Sequence, residues 1–242
     1  MNDTVSTTKA PRFARRRTAA GLAGVVLIVA AAVFLALRFD VYTVRSTAMS
    51  GSLEPDERAV QEKVTTSDIQ RGDVITFRGG TWEGDPPDAI YAMRVIGLPG
   101  DRVAANPEGQ LLVNDKPIAE KYAEGDNRQE GRPFSVTVPA GRYFVMGDNR
   151  AVARDSRARI DTQGSGAIPS DRVEGRLIAI ALPVWHFGSL TPGDAFTAVG
   201  PTAEAYNLAP LLAAVVCVLA GVLIVISVSG GSVRRRLAGR RR

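Results

Sequence analysis

Residues 44–53 read V-R-S-T-A-M-S-G-S-L and come shortly after an uncharged apolar run that ends at Leu37. Small and hydroxylated residues dominate this stretch. Its Ser-Gly-Ser sequence favours a turn, because serine hydroxyls bond to nearby backbone groups and glycine adopts backbone angles that other residues avoid. We therefore predict a tight loop, with Ala48 at its centre, where the chain leaves the apolar run.

Three further motif-like segments follow this loop along the sequence. Residues 71–77 read R-G-D-V-I-T-F, residues 91–101 read Y-A-M-R-V-I-G-L-P-G-D, and residues 145–157 read V-M-G-D-N-R-A-V-A-R-D-S-R. In order and approximate spacing they resemble bacterial type I signal peptidases, which carry S-x-S-M-x-P-T-L, K-R-V-x-G-x-P-G-D and G-D-N-R-x-x-S-x-D-S-R. The resemblance covers nearly all of residues 40–190. One such segment would be a weak signal, but four in sequence are specific.

The chain departs from the family at the positions that do chemistry. The resemblance places Ala48 at the nucleophilic serine, Met93 at the lysine general base and Ala153 at the serine that orients the lysine. A hydroxyl attacks an amide only if a base removes its proton, and the methionine thioether is no such base. The neighbouring Arg94 cannot replace the lysine, because guanidinium stays protonated. No catalytic residue is therefore intact.

The resemblance also implies which positions still shape the site. Ser46 and the backbone N–H of Ala48 are expected to donate to an oxyanion or to a bound peptide carbonyl. An equally simple interpretation of Ser46 is an ordinary loop serine. The other matching positions are expected to be structural: Met49, Arg94, Gly147, Asp148, Asn149, Arg150, Asp155, Ser156 and Arg157.

Ion pairs are expected within this last group of residues. Asp148 with Arg150, or Asp155 with Arg157, would hold the adjoining loop.

Residues 120–133 are polar and poor in aromatic side chains, so we predict an exposed, mobile excursion there.

Other nucleophiles and bases must also be weighed. Ser50 and Ser52 lie near Ala48, but a shift of two residues on an extended chain moves a side chain by about 6–7 Å. His186 is the only histidine, and it lies between Trp185 and Phe187. Aromatic neighbours of this kind favour anchoring at a membrane surface over catalysis.

Charge is distributed unevenly along the chain. The formal net charge is +5, yet residues 1–18 and 229–242 carry so much of the basic charge that the remainder has 19 basic and 24 acidic side chains, a net charge of −5. A nucleic-acid partner would require a basic face on the folded part. We therefore expect no nucleic-acid binding.

Two uncharged runs, residues 19–37 and 208–228, are long enough to cross a hydrocarbon layer of about 30 Å. The first run could also be a cleaved secretory signal, but it exceeds a typical signal region and leads directly into the loop. Because arginines flank the outer end of each run, we expect a multi-pass protein of the cell membrane. Residues 1–18 and 229–242 would then be cytoplasmic and residues 40–206 extracytoplasmic.

Between the spans the pattern predicts an all-β domain, as the resemblance also implies. The predicted strands are residues 41–44, 59–64, 74–77, 89–96, 110–113, 134–138, 143–146 and 177–182. Asn114 and Asp115 favour a tight hairpin, because both residue types tolerate positive φ. The single cysteine, Cys217, lies in the second span, so no disulfide is expected, and neither a metal nor a cofactor.

Three functions remain open. The leading hypothesis is a membrane-anchored signal peptidase homologue that binds extended secretory or signal peptides without cleaving them, with an active paralogue or the secretion machinery as further partners. The second is an active signal peptidase whose catalytic residues have been altered or whose serine has been relocated. The third is a structural protein of envelope assembly.

Overall fold

The computed structural model describes residues 12–162, 164–191, 194–200 and 206–239, without the side chains of residues 12–15 and 230–239. The chain divides into two units, the two terminal helices and residues 39–206. Much of the two predicted basic tails, residues 1–11 and 240–242, lies outside the described residues.

Two long helices form the first unit. Helix α1 spans Arg12–Arg38 and helix α2 spans Ala209–Gly239. Within them, Arg16–Arg38 and Ala209–Ser229 are long and apolar enough to cross a membrane by length and composition. The two predicted apolar runs therefore both form helices.

The helices pack closely and antiparallel. A Cβ added to Gly221 would lie 2.8 Å from the Gly24 carbonyl oxygen and 2.6 Å from the Ile28 side chain. Closer to the N-terminal end of α1, the Arg17 guanidinium donates a 2.7 Å hydrogen bond to the Val228 carbonyl. Glycine permits this approach, because any larger residue would hold the two backbones apart.

The second unit is built from short strands joined by turns. Its strands are β1 Phe39–Thr43, β2 Arg58–Glu62, β3 Val74–Arg78, β4 Ile90–Gly97, β5 Arg102–Ala105, β6 Leu111–Val113, β7 Lys116–Pro117, β8 Phe134–Thr137, β9 Arg142–Met146, β10 Ile168–Pro169, β11 Val173–Leu182 and β12 Gly188–Ser189. The predicted all-β domain between two apolar helices is thus confirmed.

All the strands pair antiparallel in two sheets. The larger has the order β1-β2-β11-β3-β4-β9-β10, with β12 added beside β11, and the smaller has the order β7-β6-β5-β8. Strand β4 pairs with β3 over Ile90–Arg94 but with β9 only from Arg94 onward. Among the described strands, β1 and the first half of β4 therefore each have one unpaired edge.

The chain bends from the larger sheet to the smaller one after Gly97. A Cβ at this position would lie 2.5 Å from the Val103 side chain and 2.9 Å from that of Val138. Only glycine allows β4 to pass so close to the smaller sheet. One apolar cluster, which includes Ile96, Val103 and Phe144, fills the space beside the bend.

Each of the eight predicted strands overlaps an observed strand, and the hairpin is confirmed, since Asn114 and Asp115 have φ of 52° and 63°. Strands β5, β10 and β12 are not among the predicted strands. Strands β10 and β12 have two residues each, too few for any periodic pattern. The predicted strand 177–182 begins four residues later than the observed β11, because Glu174, Gly175 and Arg176 break the apolar pattern.

Asp101 ties the turn after β4 to two other parts of the domain. Its carboxylate accepts two hydrogen bonds from the Arg71 guanidinium at 2.7 and 2.6 Å, one from the Leu98 N–H at 2.7 Å and one from the Asn114 amide at 2.9 Å. Burial alone raises the pKa of Asp101, but the hydrogen bonds from Arg71, Leu98 and Asn114 outweigh burial and lower it.

We predict that Asp101→Asn lowers the free energy of unfolding by about 1.5–3 kcal/mol at pH 7, since the buried pair with Arg71 loses its negative charge. Because the pKa of Asp101 is lower in the folded state, this contribution is full above the unfolded value of about 4 and is lost as the pH falls through the folded value. Urea unfolding of the full chain in detergent at several pH values, followed by fluorescence of the buried Trp82, checks this.

The matched control is Asp115→Asn on the adjacent hairpin, where the pair with Arg102 is exposed. We expect that substitution to cost at most about 1 kcal/mol. A difference between wild type and Asp101→Asn that stays constant from neutral pH down to about pH 3 would contradict the assigned role of the carboxylate.

Candidate functional site

A cleft of about 840 Å³ lies between β1 with the loop after it and the beginning of β4. One side of this cleft is thus the free edge of β1, and the other is the unpaired half of β4. The described residues that line it are Val41, Tyr42, Thr43, Val44, Arg45, Ser46, Ala48, Met49, Asp88, Ala89, Ile90, Tyr91, Ala92, Met93, Val152 and Arg154.

The predicted tight loop is a short 3-10 turn at Thr47–Met49. The side chains of Met49 and Leu53 are buried and anchor it to the core. The Ala48 N–H donates to the Ser46 hydroxyl oxygen at 3.1 Å, and the Ala48 carbonyl accepts from the Asn149 N–H at 3.1 Å. The backbone at position 48 is therefore held from both sides, and a carbonyl entering the cleft would compete with Ser46 for the Ala48 N–H.

The three positions where the chain departs from the motifs lie in or next to the cleft. Ala48 and Met93 both line it. A Cβ added to Gly147 would lie 2.5 Å from the Ala48 carbonyl oxygen and closer still to the Ala153 Cβ. Gly147 is thus the point where the loop that carries Ala48 meets the segment that carries Ala153.

Met93 is nearly inaccessible and belongs to an apolar cluster with Ile75, Val95 and Val145. The cleft lining, as far as the structure describes it, includes neither a lysine nor a histidine. The hydroxyls that line it belong to Tyr42, Thr43, Ser46 and Tyr91. No amine or imidazole in this lining is available to deprotonate any of them.

Arg94, next to Met93, points into the protein and is fully buried. It forms a fork with Asp148, with Nε to Oδ1 at 2.9 Å and Nη2 to Oδ2 at 2.6 Å. It also donates to the Gly72 carbonyl at 2.7 Å and to the Ser52 hydroxyl at 3.2 Å. Burial alone lowers the pKa of Arg94, but Asp148 outweighs burial and raises it, so the guanidinium stays charged.

The expected ion pair between Asp148 and Arg150 does not form, so this prediction is wrong. Asp148 pairs with Arg94, and Arg150 instead forms an ion pair with Glu120. Arg150 also donates to the Gly147 carbonyl at 2.8 Å. Neighbouring positions in the sequence did not predict these pairs, because Asp148 lies 54 residues from Arg94 and Arg150 lies 30 residues from Glu120. Only the fold brings these partners together.

The second expected pair, Asp155 with Arg157, is confirmed, with two hydrogen bonds of 2.9 Å. Asp155 also accepts from the Gly147 N–H at 3.0 Å, and the Ser156 hydroxyl accepts from the Val145 N–H at 3.0 Å. These side chains satisfy the backbone of strand β9 and of the turn after it. Asp155 therefore holds Gly147 in place, and Ser156 holds the strand two residues before it.

Residues 120–133 do not all form a free excursion as predicted. The Tyr122 ring lies 4.2 Å from the Arg94 guanidinium and stacks on Phe196 at 6.5 Å. Burial, and then the charge of Glu120, raises the pKa of Tyr122 well above its ordinary value. No local pattern indicates these contacts, because the partners of Glu120 and Tyr122 lie about 30 residues away or more along the chain.

The alternative catalytic groups have other partners. Ser50 donates to Glu54 at 2.9 Å, and Ser52 accepts from Arg94. His186 contacts Glu57 through Nδ1 at 2.7 Å, while Trp185 next to it is 79% exposed. None of these three candidates lines the cleft. The hypothesis of a relocated serine has no geometric support at these positions.

Comparison with known proteins gives one consistent result. The family described as "Signal peptidase, peptidase S26" matches residues 17–182. Signal peptidase I of Bacillus licheniformis is 34% identical over 162 residues, which cover 62% of this chain and 81% of the relative. Signal peptidase I T of Bacillus subtilis is 32% identical over 166 residues, 63% of this chain and 80% of the relative. A crystal structure of a signal peptidase I from Enterococcus faecalis is 30% identical and covers 46% of this chain and 97% of that one, with a TM-score of 0.35.

We predict that Gly147→Ala lowers the free energy of unfolding by about 1–3 kcal/mol, because the added methyl group meets the Ala48 carbonyl and Ala153 in a packed region. Urea unfolding of the full chain measures the loss. Gly188→Ala is the control, since its Cβ would meet nothing nearer than the His186 carbonyl at 3.7 Å. Equal stability of the two variants would show that the contact at Gly147 is not tight.

Proposed function

We propose that this chain, which belongs to the signal peptidase family, peptidase S26, is a membrane-anchored member that binds extended secretory peptides without cleaving them. The observation that carries the proposal is the composition of one end of the cleft. Ala48 and Met93 line the cleft and Ala153 lies beside Ala48 at Gly147, and none of their side chains supplies a nucleophile or a base. A peptide bond held at this end meets hydrogen-bond donors but no group that can attack it.

The two unpaired strand edges support the binding part of the proposal. An extended segment placed between β1 and the first half of β4 would find free backbone groups on both sides, as in strand addition. The Tyr42 hydroxyl lies 3.4 Å from the Ile90 carbonyl, so a single side chain spans the gap between the two edges. Small residues such as Ala48 and Ala92 in the lining leave shallow space for small side chains of the peptide.

The two apolar helices support a location in the cell membrane. We place the outer end of each helix in the cytoplasm, because arginines are concentrated there, and residues 40–206 outside. Secretory peptides emerge on that side of the membrane. An active signal peptidase or the secretion machinery is the class of partner that such a protein would meet there.

The first experiment is a cleavage assay with the unmodified full chain in detergent and a purified secretory preprotein. We expect the preprotein to stay intact in mass spectra, while a fluorescent signal peptide shows saturable binding by anisotropy. A cut after a small-x-small sequence would overturn the proposed lack of activity. Absence of peptide binding would overturn the binding role.

We further predict that Ala48→Ser with Met93→Lys and Ala153→Ser produces signal-peptide cleavage. The new lysine would lie in the apolar cluster around position 93, and burial lowers the pKa of an amine toward the range of a general base. We expect a rate on the order of 10³ or more above that of the unmodified chain.

The matched control is the double variant Ala48→Ser with Ala153→Ser. It restores the nucleophile but no base, and we expect it to stay inactive. If the triple variant unfolds like the unmodified chain yet does not cleave, the cleft itself has diverged from a substrate-cleaving geometry. Equal cleavage by the double and triple variants would show that a base other than the introduced lysine acts in this cleft.

A further inference from the structure

Two arginines line the cleft without forming an ion pair with any described residue. Arg45 and Arg154 are both exposed, and neither guanidinium has a carboxylate partner in the part of the chain that the structure describes. Most other arginines of the domain are paired, including Arg94, Arg150 and Arg157. The charges of Arg45 and Arg154 are thus available to a ligand.

Both arginines lie next to the loop and the segment that meet at Gly147. Arg45 directly precedes Ser46, and Arg154 directly follows Ala153, which lies with Ala48 around Gly147. The one acidic residue of the described lining, Asp88, precedes β4, whereas Met93 lies well inside that strand. The positively charged end of the cleft therefore coincides with the N–H of Ala48 and the hydroxyl of Ser46.

The hydrogen bond already present at this end selects for a strong acceptor. The Ala48 N–H donates to the Ser46 oxygen, and a neutral amide carbonyl gains little by replacing that oxygen. A carboxylate is a better acceptor, because hydrogen bonds to a charged group are about twice as strong. Its second oxygen can also receive a guanidinium, whose geometry matches a carboxylate.

We propose that the preferred ligand of this cleft is a peptide that ends in it. Its free C-terminal carboxylate is held by the Ala48 N–H and the Ser46 hydroxyl and is paired with Arg45 and Arg154. The inference rests on the proposed peptide-binding function and narrows its ligand from a continuous preprotein to a released peptide. The reaction that must supply this ligand is hydrolysis of a peptide bond, which creates a new α-carboxylate.

The test compares two synthetic peptides of the same sequence ending in Ala-Gln-Ala, one with a free carboxylate and one with a C-terminal amide. Each carries an N-terminal fluorophore, and binding to the full chain in detergent is measured by anisotropy. We expect the free acid to bind about tenfold more tightly at low salt, with the difference shrinking at high salt. The variant Arg45→Gln with Arg154→Gln should lose most of the preference for the acid and all of its salt dependence, while the Ala48 N–H and the Ser46 hydroxyl retain the small remainder.

The control variant is Arg58→Gln, which removes an exposed arginine that does not line the cleft. It should keep the preference for the free acid. Equal binding of acid and amide by the unmodified chain would overturn this inference while leaving peptide binding intact. A preference that survives the double substitution undiminished would also overturn it. Failure of both peptides to bind would overturn the proposed function and this inference together.

Discussion

The buried guanidinium of Arg94 is the constraint on which this domain depends. A buried charge costs several kcal/mol unless it is paired and its hydrogen bonds are satisfied. Arg94 meets that requirement with the carboxylate of Asp148, the carbonyl of Gly72 and the hydroxyl of Ser52. Each partner lies on a different segment, so their positions are fixed relative to β4. The loop after β1, the turn before β3 and the turn after β9 are thereby held around one side chain.

Backbone hydrogen bonds hold the segments that carry Ala48 and Gly147. Ala48 is positioned through its own N–H and carbonyl, and Gly147 through an N–H bond to Asp155. None of these contacts requires a particular side chain at position 48, 93 or 153. Met93 packs among apolar neighbours, where a lysine would have to bury an amine at a cost. A methionine at position 93 therefore leaves no unpaired polar group there.

The cleft is a consequence of sheet topology. Strand β4 is shared, since its first half pairs only with β3 and its second half also pairs with β9. The unpaired half faces the edge strand β1 across a space that the Tyr42 hydroxyl bridges. Free strand edges generally attract further strands. In this domain the edge strand β1 leads directly into the loop of Ala48, so a strand added beside β1 would run toward that position.

Much of the fold follows from the sequence alone, because it depends on local patterns. The uncharged runs of α1 and α2, the strand segments and the Asn114-Asp115 hairpin are each determined by neighbouring residues. The absence of a serine at position 48 and of a lysine at position 93 is also visible in the ordered motifs. The tertiary structure alone decided the partners of the charged side chains. Asp148 pairs with Arg94 and Arg150 with Glu120 because the fold brings distant segments together, and no short-range pattern encodes that choice. The tertiary structure also decided that Arg45 and Arg154 line one cleft. These arginines are far apart in the sequence, and their segments come together only where the loop of Ala48 packs against Gly147.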